Sequence, residues 1–156
     1  MKLILRAGGA MRSGPERELV DDYLTRANAL ARGNGFLGVE EQPVELGRCR
    51  DRSDETRKLF ETVPDSAAMF VLDERGKAVT SRRFSEELAR LRDEAVPAAT
   101  FLIGGADGFE PSVLPANVRK ISFGQQTWPH KLVRVMLAEQ IYRALTILAG
   151  SPYHRD

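Results

Sequence analysis

The sequence predicts an α/β domain built on a parallel sheet, and three observations carry the prediction. Residues 67–72 (A-A-M-F-V-L) and 99–103 (A-T-F-L-I) are compact, mostly apolar runs without the alternation of a half-buried strand, the pattern of strands buried on both faces and hence parallel. Segments with helical spacing of apolar residues lie before, between and after them, so strands and helices alternate. The second run ends in G-G-A-D-G at 104–108, at the carboxyl edge of the sheet, where open α/β folds bind ligands.

In chain order, residues 2–7 read as a short strand, and Gly8, Gly9 and Gly14 make a loose turn into a helix over 15–32. Leu19, Val20, Tyr23, Leu24 and Ala27 give that helix one apolar face. The Gly33-Asn34-Gly35 break ends it. Residues 36–45 form a second strand that Pro43 is expected to interrupt. A charged stretch then leads into a helix over 54–63, with Ser53 as N-cap and acids in its first turn. A further helix spans 85–94. The glycines at 104–108 do not form a dinucleotide fingerprint, which needs G-x-G-x-x-G after the first strand. They serve either a turn or the close approach of backbone to a ligand.

The chain is organised around residues 121–142, a strand end, a tight loop and the longest helix. Pro129 suits the first helical position, because its missing N–H would be an orphan donor there. Trp128 or Thr127 is then the N-cap, and tryptophan offers no side-chain acceptor, so the first-turn donors need another partner. Over 129–149 the apolar arc holds Val133, Leu137, Ile141, Ala144 and Leu148, with Val135, Ala138, Tyr142 and Leu145 beside it. That is too wide for a one-sided surface helix. Arg134 projects from inside the arc, where an unpaired guanidinium would cost several kcal/mol, so it requires an ion-pair partner or a ligand. The wide arc and the embedded arginine predict a homodimer built on this helix.

Composition bounds the rest. The 156 residues suffice for one domain with its own core, needing no disulfide or structural metal. Cys49 is the only cysteine, so no intramolecular disulfide can form, and no Cys/His cluster has zinc spacing. The opening M-K-L-I-L-R-A-G-G lacks the length of a membrane span and the layout of a signal peptide, so a cytoplasmic protein is expected. From Ala116 onward six basic residues face two acidic ones, against a net charge of +1 for the whole chain. The asymmetry is small and points only weakly to a polyanionic partner.

Several stretches together resemble one family. They are the apolar strand ending at Leu72-Asp73, F-L-I-G-G-x-x-G-F at 101–109, S-F-x-x-x-T-W-P-H-x-L-V-R-V at 122–135, E-Q-I-Y-R-A at 139–144 and P-Y-H-R at 152–155. These resemble the RlmH family of SPOUT-superfamily methyltransferases, over essentially the whole length and most specifically over the last 60 or so residues. The resemblance implies a C-terminal trefoil knot, which connection rules alone would argue against. It implies a homodimer, S-adenosylmethionine as methyl donor and N3 of a pseudouridine in 23S ribosomal RNA as acceptor. It also implies a cofactor site at Leu72, Gly104, Ser122, Phe123, Gly124, Gln125, Gln126 and Thr127. Gln126 departs from the family pattern, standing where an apolar residue is usual.

Methylating a ring nitrogen requires its proton to leave, and the only histidines are His130 and His154. His154 lies in a short polar tail with Tyr153 and Arg155, an aromatic for stacking and a cation for phosphate. The resemblance puts this tail at the active site and makes Arg143 a substrate contact, although Arg143 also suits a plain i, i+4 pair with Glu139. The expected catalytic residues are therefore His154, Tyr153 and Arg143. Arg155, His130 and Arg134 are expected to meet substrate RNA. No metal is required. Two other readings remain open from sequence: a noncatalytic ribosome-binding module with the knot fold, and a SPOUT enzyme acting on transfer RNA.

Overall fold

A computed structural model describes residues 1–155; Asp156 lies outside the described residues. The elements run β1 (Lys2–Gly8), α1 (Pro15–Ala31), β2 (Gly38–Val44), α2 (Arg52–Phe60), β3 (Ala68–Ala78), α3 (Ser81–Asp93), β4 (Ala98–Ile103), β5 (Arg119–Ser122) and α4 (His130–Leu148). All pairings are parallel and the strand order is β2-β1-β4-β3-β5. The α/β class and the parallel sheet flanked by helices are as the sequence predicts.

The sheet separates two apolar cores. Leu3, Leu5 and Ala7 of β1 and Ala99, Phe101 and Ile103 of β4 face α1, α3 and α4, meeting Val20, Leu88, Leu137, Ile141 and Leu145. Val71 and Leu102 point to the other face, against Leu59 of α2 and Phe109. Strand β4 is buried at every position, which is why its sequence shows no alternation. Arg6 turns to the α2 face and donates to the carbonyls of Leu59 (2.7 Å) and Glu61 (2.7 Å), capping the negative end of that helix.

Several boundaries differ from expectation, each for a local reason. Strand β2 continues through Pro43, which is in register with Ala7; β2 is an edge strand, where a missing donor costs no ladder bond. Helix α2 begins at Arg52, capped by Asp51, whose carboxylate accepts from the Asp54 N–H at 2.8 Å, so Ser53 is not the cap. Helix α3 begins at Ser81, capped by the Thr80 hydroxyl accepting from the Arg83 N–H at 3.2 Å. Strand β3 runs on to Ala78, with Ile121 of β5 in register first with Leu72 and then with Lys77. Residues 73–76 are left out of the ladder between those two registers. Gly76 permits this, because a Cβ there would lie 2.7 Å from the Ile121 backbone.

Helix α4 starts at His130, with Pro129 itself as N-cap and no side-chain cap bond. Its wide apolar arc is filled within the chain, because α4 packs against both α1 and α3 over the sheet. The arc therefore needs no second copy to explain it.

Candidate functional site

At the carboxyl edge of the sheet, β3, β4 and β5 end at a cavity of about 630 Å³. Its walls are the loop after β4, the offset segment of β3, and the loop from β5 into α4. Seven of the eight expected cofactor positions line it: Leu72, Gly104, Ser122, Phe123, Gly124, Gln126 and Thr127. The eighth, Gln125, is exposed and not part of the wall.

The β5–α4 loop is shaped by its own short side chains. The Ser122 hydroxyl donates to the Gly124 carbonyl at 2.6 Å and accepts from the Gly124 N–H at 3.0 Å, closing a tight bend in which Gly124 has φ +117°. The Thr127 hydroxyl donates to Glu74 Oε2 at 2.7 Å, tying the loop to the offset segment of β3. Gly104 has a different reason to be glycine than ligand approach. A Cβ there would meet the Gly108 backbone at 2.9 Å, so the residue closes the turn in which the Gly108 N–H donates to the Gly105 carbonyl at 3.1 Å. Asp73, Glu74 and Arg75 are wall residues that the sequence reading missed. Their signal was the D-E-R-G run after Leu72, read only as the end of an apolar strand.

His130 opens α4 and lines the cavity, exposed. Arg134 does not meet this space. Its side chain is 2 % exposed, and it donates to Glu41 at 3.2 Å and to the carbonyls of Gly8 and Gly9 at 3.0 Å each. Glu41 also accepts from Arg17 at 2.6 Å. Burial lowers the Arg134 pKa and Glu41 opposes that shift. The expected RNA contact at Arg134 is thus corrected to a buried ion pair fastening α4 to the end of β1.

The expected catalytic trio is brought together, but at another place. Arg143 donates through Nε and Nη2 to Glu139 Oε1 at 2.9 and 2.5 Å, and the Tyr153 hydroxyl donates to the same oxygen at 3.1 Å. His154 Nδ1 lies 3.3 Å from Arg143 Nη1. Arginine has no acceptor, so a hydrogen bond between the two requires Nδ1 to accept. The tail is docked rather than frayed. Tyr153 reaches back along α4 as far as Glu139, nine residues from His130, about 14 Å of helix rise. Neither Tyr153, His154 nor Arg155 lines the large cavity of its own chain. Arg155 is exposed. A smaller cavity of about 320 Å³ lies beside Glu139, and Phe123 lines both.

Among the described residues no group of three or more His, Cys, Asp or Glu side chains is placed to hold a metal ion. No described helix is long and apolar enough to cross a membrane.

Residues 1–154 match the sequence model of the family described as "Predicted SPOUT methyltransferase". The chain is 49% identical over 155 residues to a protein of Hyphomonas neptunium named ribosomal RNA large subunit methyltransferase H, covering 99% of each. Proteins of the same name from Maricaulis maris (49% over 156 residues, all of both chains) and Rhodopseudomonas palustris (47% over 159 residues, 99% of each) are similar along their whole length. With its parallel sheet, its carboxyl-edge cavity and this full-length match, the chain belongs to the SPOUT methyltransferase family.

Proposed function

We propose that this chain is an S-adenosylmethionine-dependent methyltransferase that modifies N3 of a pseudouridine in 23S ribosomal RNA on the assembled ribosome. The observation that carries the reading is the cavity, which all the implied cofactor positions except Gln125 line together. Its volume of about 630 Å³ suits a nucleoside joined to an amino acid. Three carboxylates, Asp73, Glu74 and Asp107, line the cavity against two guanidiniums, Arg52 and Arg75, a balance that a cationic ligand would favour. The cofactor would supply an electrophilic methyl group and leave as a neutral thioether.

The chain's own residues would then bind, orient and deprotonate. The bend at 122–127 would present backbone groups to the cofactor, held in place by the Ser122 and Thr127 hydroxyl bonds. Holding the target nitrogen in line supplies part of the rate. A positioned base for the N3 proton adds roughly 10² to 10⁴. His130 stands in the cavity wall and His154 in the tail. For His154 to take the proton at Nδ1 it must first release Arg143. Arg143 and Arg155 would offer cations to RNA phosphates.

A tail that does not line its own cavity can still serve catalysis if a second copy provides it. We therefore read the protein as a single-domain homodimer in the cytoplasm, with each cavity completed by the other copy's tail. Leu19, Trp128 and Leu132 are apolar side chains 45%, 39% and 39% exposed, of the kind that such a contact would cover. The trefoil threading of the segment after β5 belongs to the same proposal. The test is mass spectrometry of ribosomal RNA from a strain lacking the protein, before and after incubating its ribosomes with purified protein and S-adenosylmethionine. A methylated pseudouridine that is absent before and present after is the expected result. Its absence after incubation at saturating cofactor would refute the reading.

A further inference from the structure

A cluster of aromatic and charged side chains lies outside the cavity, where α1 meets the tail, and it holds groups that no step above uses. Arg26 Nη2 donates to the Tyr142 hydroxyl at 3.0 Å and Nη1 donates to Asp22 at 3.2 Å, two bonds that fix the guanidinium plane. Its central carbon is 4.3 Å from the ring centre of Tyr142, 5.6 Å from that of Tyr153 and 5.7 Å from that of Tyr23. Tyr142 and Tyr153 meet edge to face at 4.7 Å, and Tyr23 tilts against Tyr142 at 6.1 Å. Arg143 lies 4.7 Å from the Tyr153 ring centre. Burial, the Tyr23 hydroxyl and the Glu139 carboxylate all push the Tyr153 phenol up, so it stays protonated and donates to Glu139.

A short polar terminus frays unless something ties it down. Here the tie is Tyr153, whose ring meets two guanidinium groups and a second aromatic ring and whose hydroxyl meets a carboxylate. The tail's own helix supplies Glu139, Tyr142 and Arg143. The remaining contacts come from α1, more than a hundred residues away in sequence. Single cation–π contacts at exposed sites are weak, but two of them and an edge-to-face ring contact converging on one ring restrict it.

We propose that Tyr23 and Arg26 of α1 are positioning residues, completing a socket that holds Tyr153 and so fixes where His154 and Arg155 emerge. Neither residue need touch the reacting atoms. The proposal rests on the catalytic role given to the tail above, and its test includes a readout that does not depend on activity.

The full-length protein and its Arg26→Ala, Arg26→Lys and Tyr23→Phe variants are digested with a carboxypeptidase well below their unfolding temperatures, with release of the last residues followed by mass spectrometry. Methyl transfer on ribosomes lacking the modification and calorimetric cofactor affinity are measured alongside. Arg26→Ala should release the tail about tenfold faster and lower kcat by a similar factor, the scale of losing several cation–π contacts. Cofactor affinity should change by less than about twofold, because the cavity is built from other residues. Arg26→Lys should recover part of both effects, keeping the charge but not the planar two-bond geometry. Tyr23→Phe, which removes one hydroxyl, should show a smaller change in the same direction and decides the matter if Arg26→Ala does not fold. Unchanged tail release and kcat would overturn the proposal, as would a loss shared equally by cofactor binding and turnover. If the unmodified protein transfers no methyl group, the reading of function fails while tail release still decides whether the socket exists.

Discussion

The cavity and the tail socket lie at different levels of helix α4 and are made of different materials. The cavity is shaped chiefly by backbone: a glycine turn at 104–108, a bend at Gly124 and a strand that leaves its ladder at 73–76. The socket is made almost wholly of side chains, with Tyr153, Arg143, Glu139, Tyr142 and Arg26 in contact. Backbone cradles suit a ligand that is held, whereas titratable and cationic side chains suit a group that is deprotonated and oriented. The difference teaches that binding and chemistry should be separable by mutation, and three variants break or sharpen that separation.

The largest effect is expected where the two regions share a support. Arg134→Ala leaves Glu41 facing only Arg17 and strips the Gly8 and Gly9 carbonyls of their donor. Breaking a buried pair in this way costs about 3–5 kcal/mol. Thermal unfolding should show that loss, and cofactor binding and turnover should fall together. A variant of unchanged stability would remove Arg134 from the core's support.

Deleting residues 152–156 should separate the regions. Little apolar area is lost, so the fold should hold. Turnover on ribosomes should drop roughly 100-fold or more, as expected for losing a base together with substrate positioning. Cofactor affinity measured by calorimetry should fall at most modestly, since the residues that line the cavity belong to the chain that forms it and stay in place. Full activity in the truncated protein would leave His130 as the histidine to test.

Gly104→Val should do the reverse. Its Cβ would sit 2.9 Å from the Gly108 backbone, so the 104–108 turn must shift. Overpacking of this kind costs about 1–3 kcal/mol. Cofactor affinity should weaken by about tenfold, equivalent to 1.4 kcal/mol. Tail release by carboxypeptidase should not change. Unchanged affinity would mean that the turn can move without disturbing the cavity.

Much of the scaffold was legible because burial writes itself into sequence. The runs at 67–72 and 99–103 lie in strands buried on both faces, and their apolar continuity says so. The extension of β3 was not legible, because the apolar signal stops at Leu72 and the later pairing depends on Gly76 meeting the Ile121 backbone. The α2 cap moved from Ser53 to Asp51, a neighbour of equal capping chemistry, and α3 begins four residues earlier than read, at Ser81, behind the Thr80 cap. Arg134 announced its need for a partner, but Glu41 is 93 residues away and no local pattern could name it. The cofactor wall was read from the family resemblance rather than from spacing; Asp73 was read only as a strand end, and Glu74 was not singled out. In α1, Tyr23 read as one more apolar-face residue, and nothing in the sequence singled out Arg26. Only the tertiary packing of α1 on the tail gives them a common purpose.

The claim that most needs a direct measurement is that a cavity and a tail from two copies make one active site. The Gly104→Val protein keeps its tail but has a damaged cavity, and the protein lacking 152–156 keeps its cavity but has no tail. Assayed at cofactor well below the dissociation constant of the damaged cavity, the first is expected to keep about a tenth of wild-type methyl transfer and the second about a hundredth or less. Mixed and allowed to exchange subunits, they should regain methyl transfer, because half of each mixed dimer pairs an intact cavity with an intact tail. If both variants form dimers and exchange but the mixture is no more active than its parts, the tail serves its own chain or none, and the shared site is wrong.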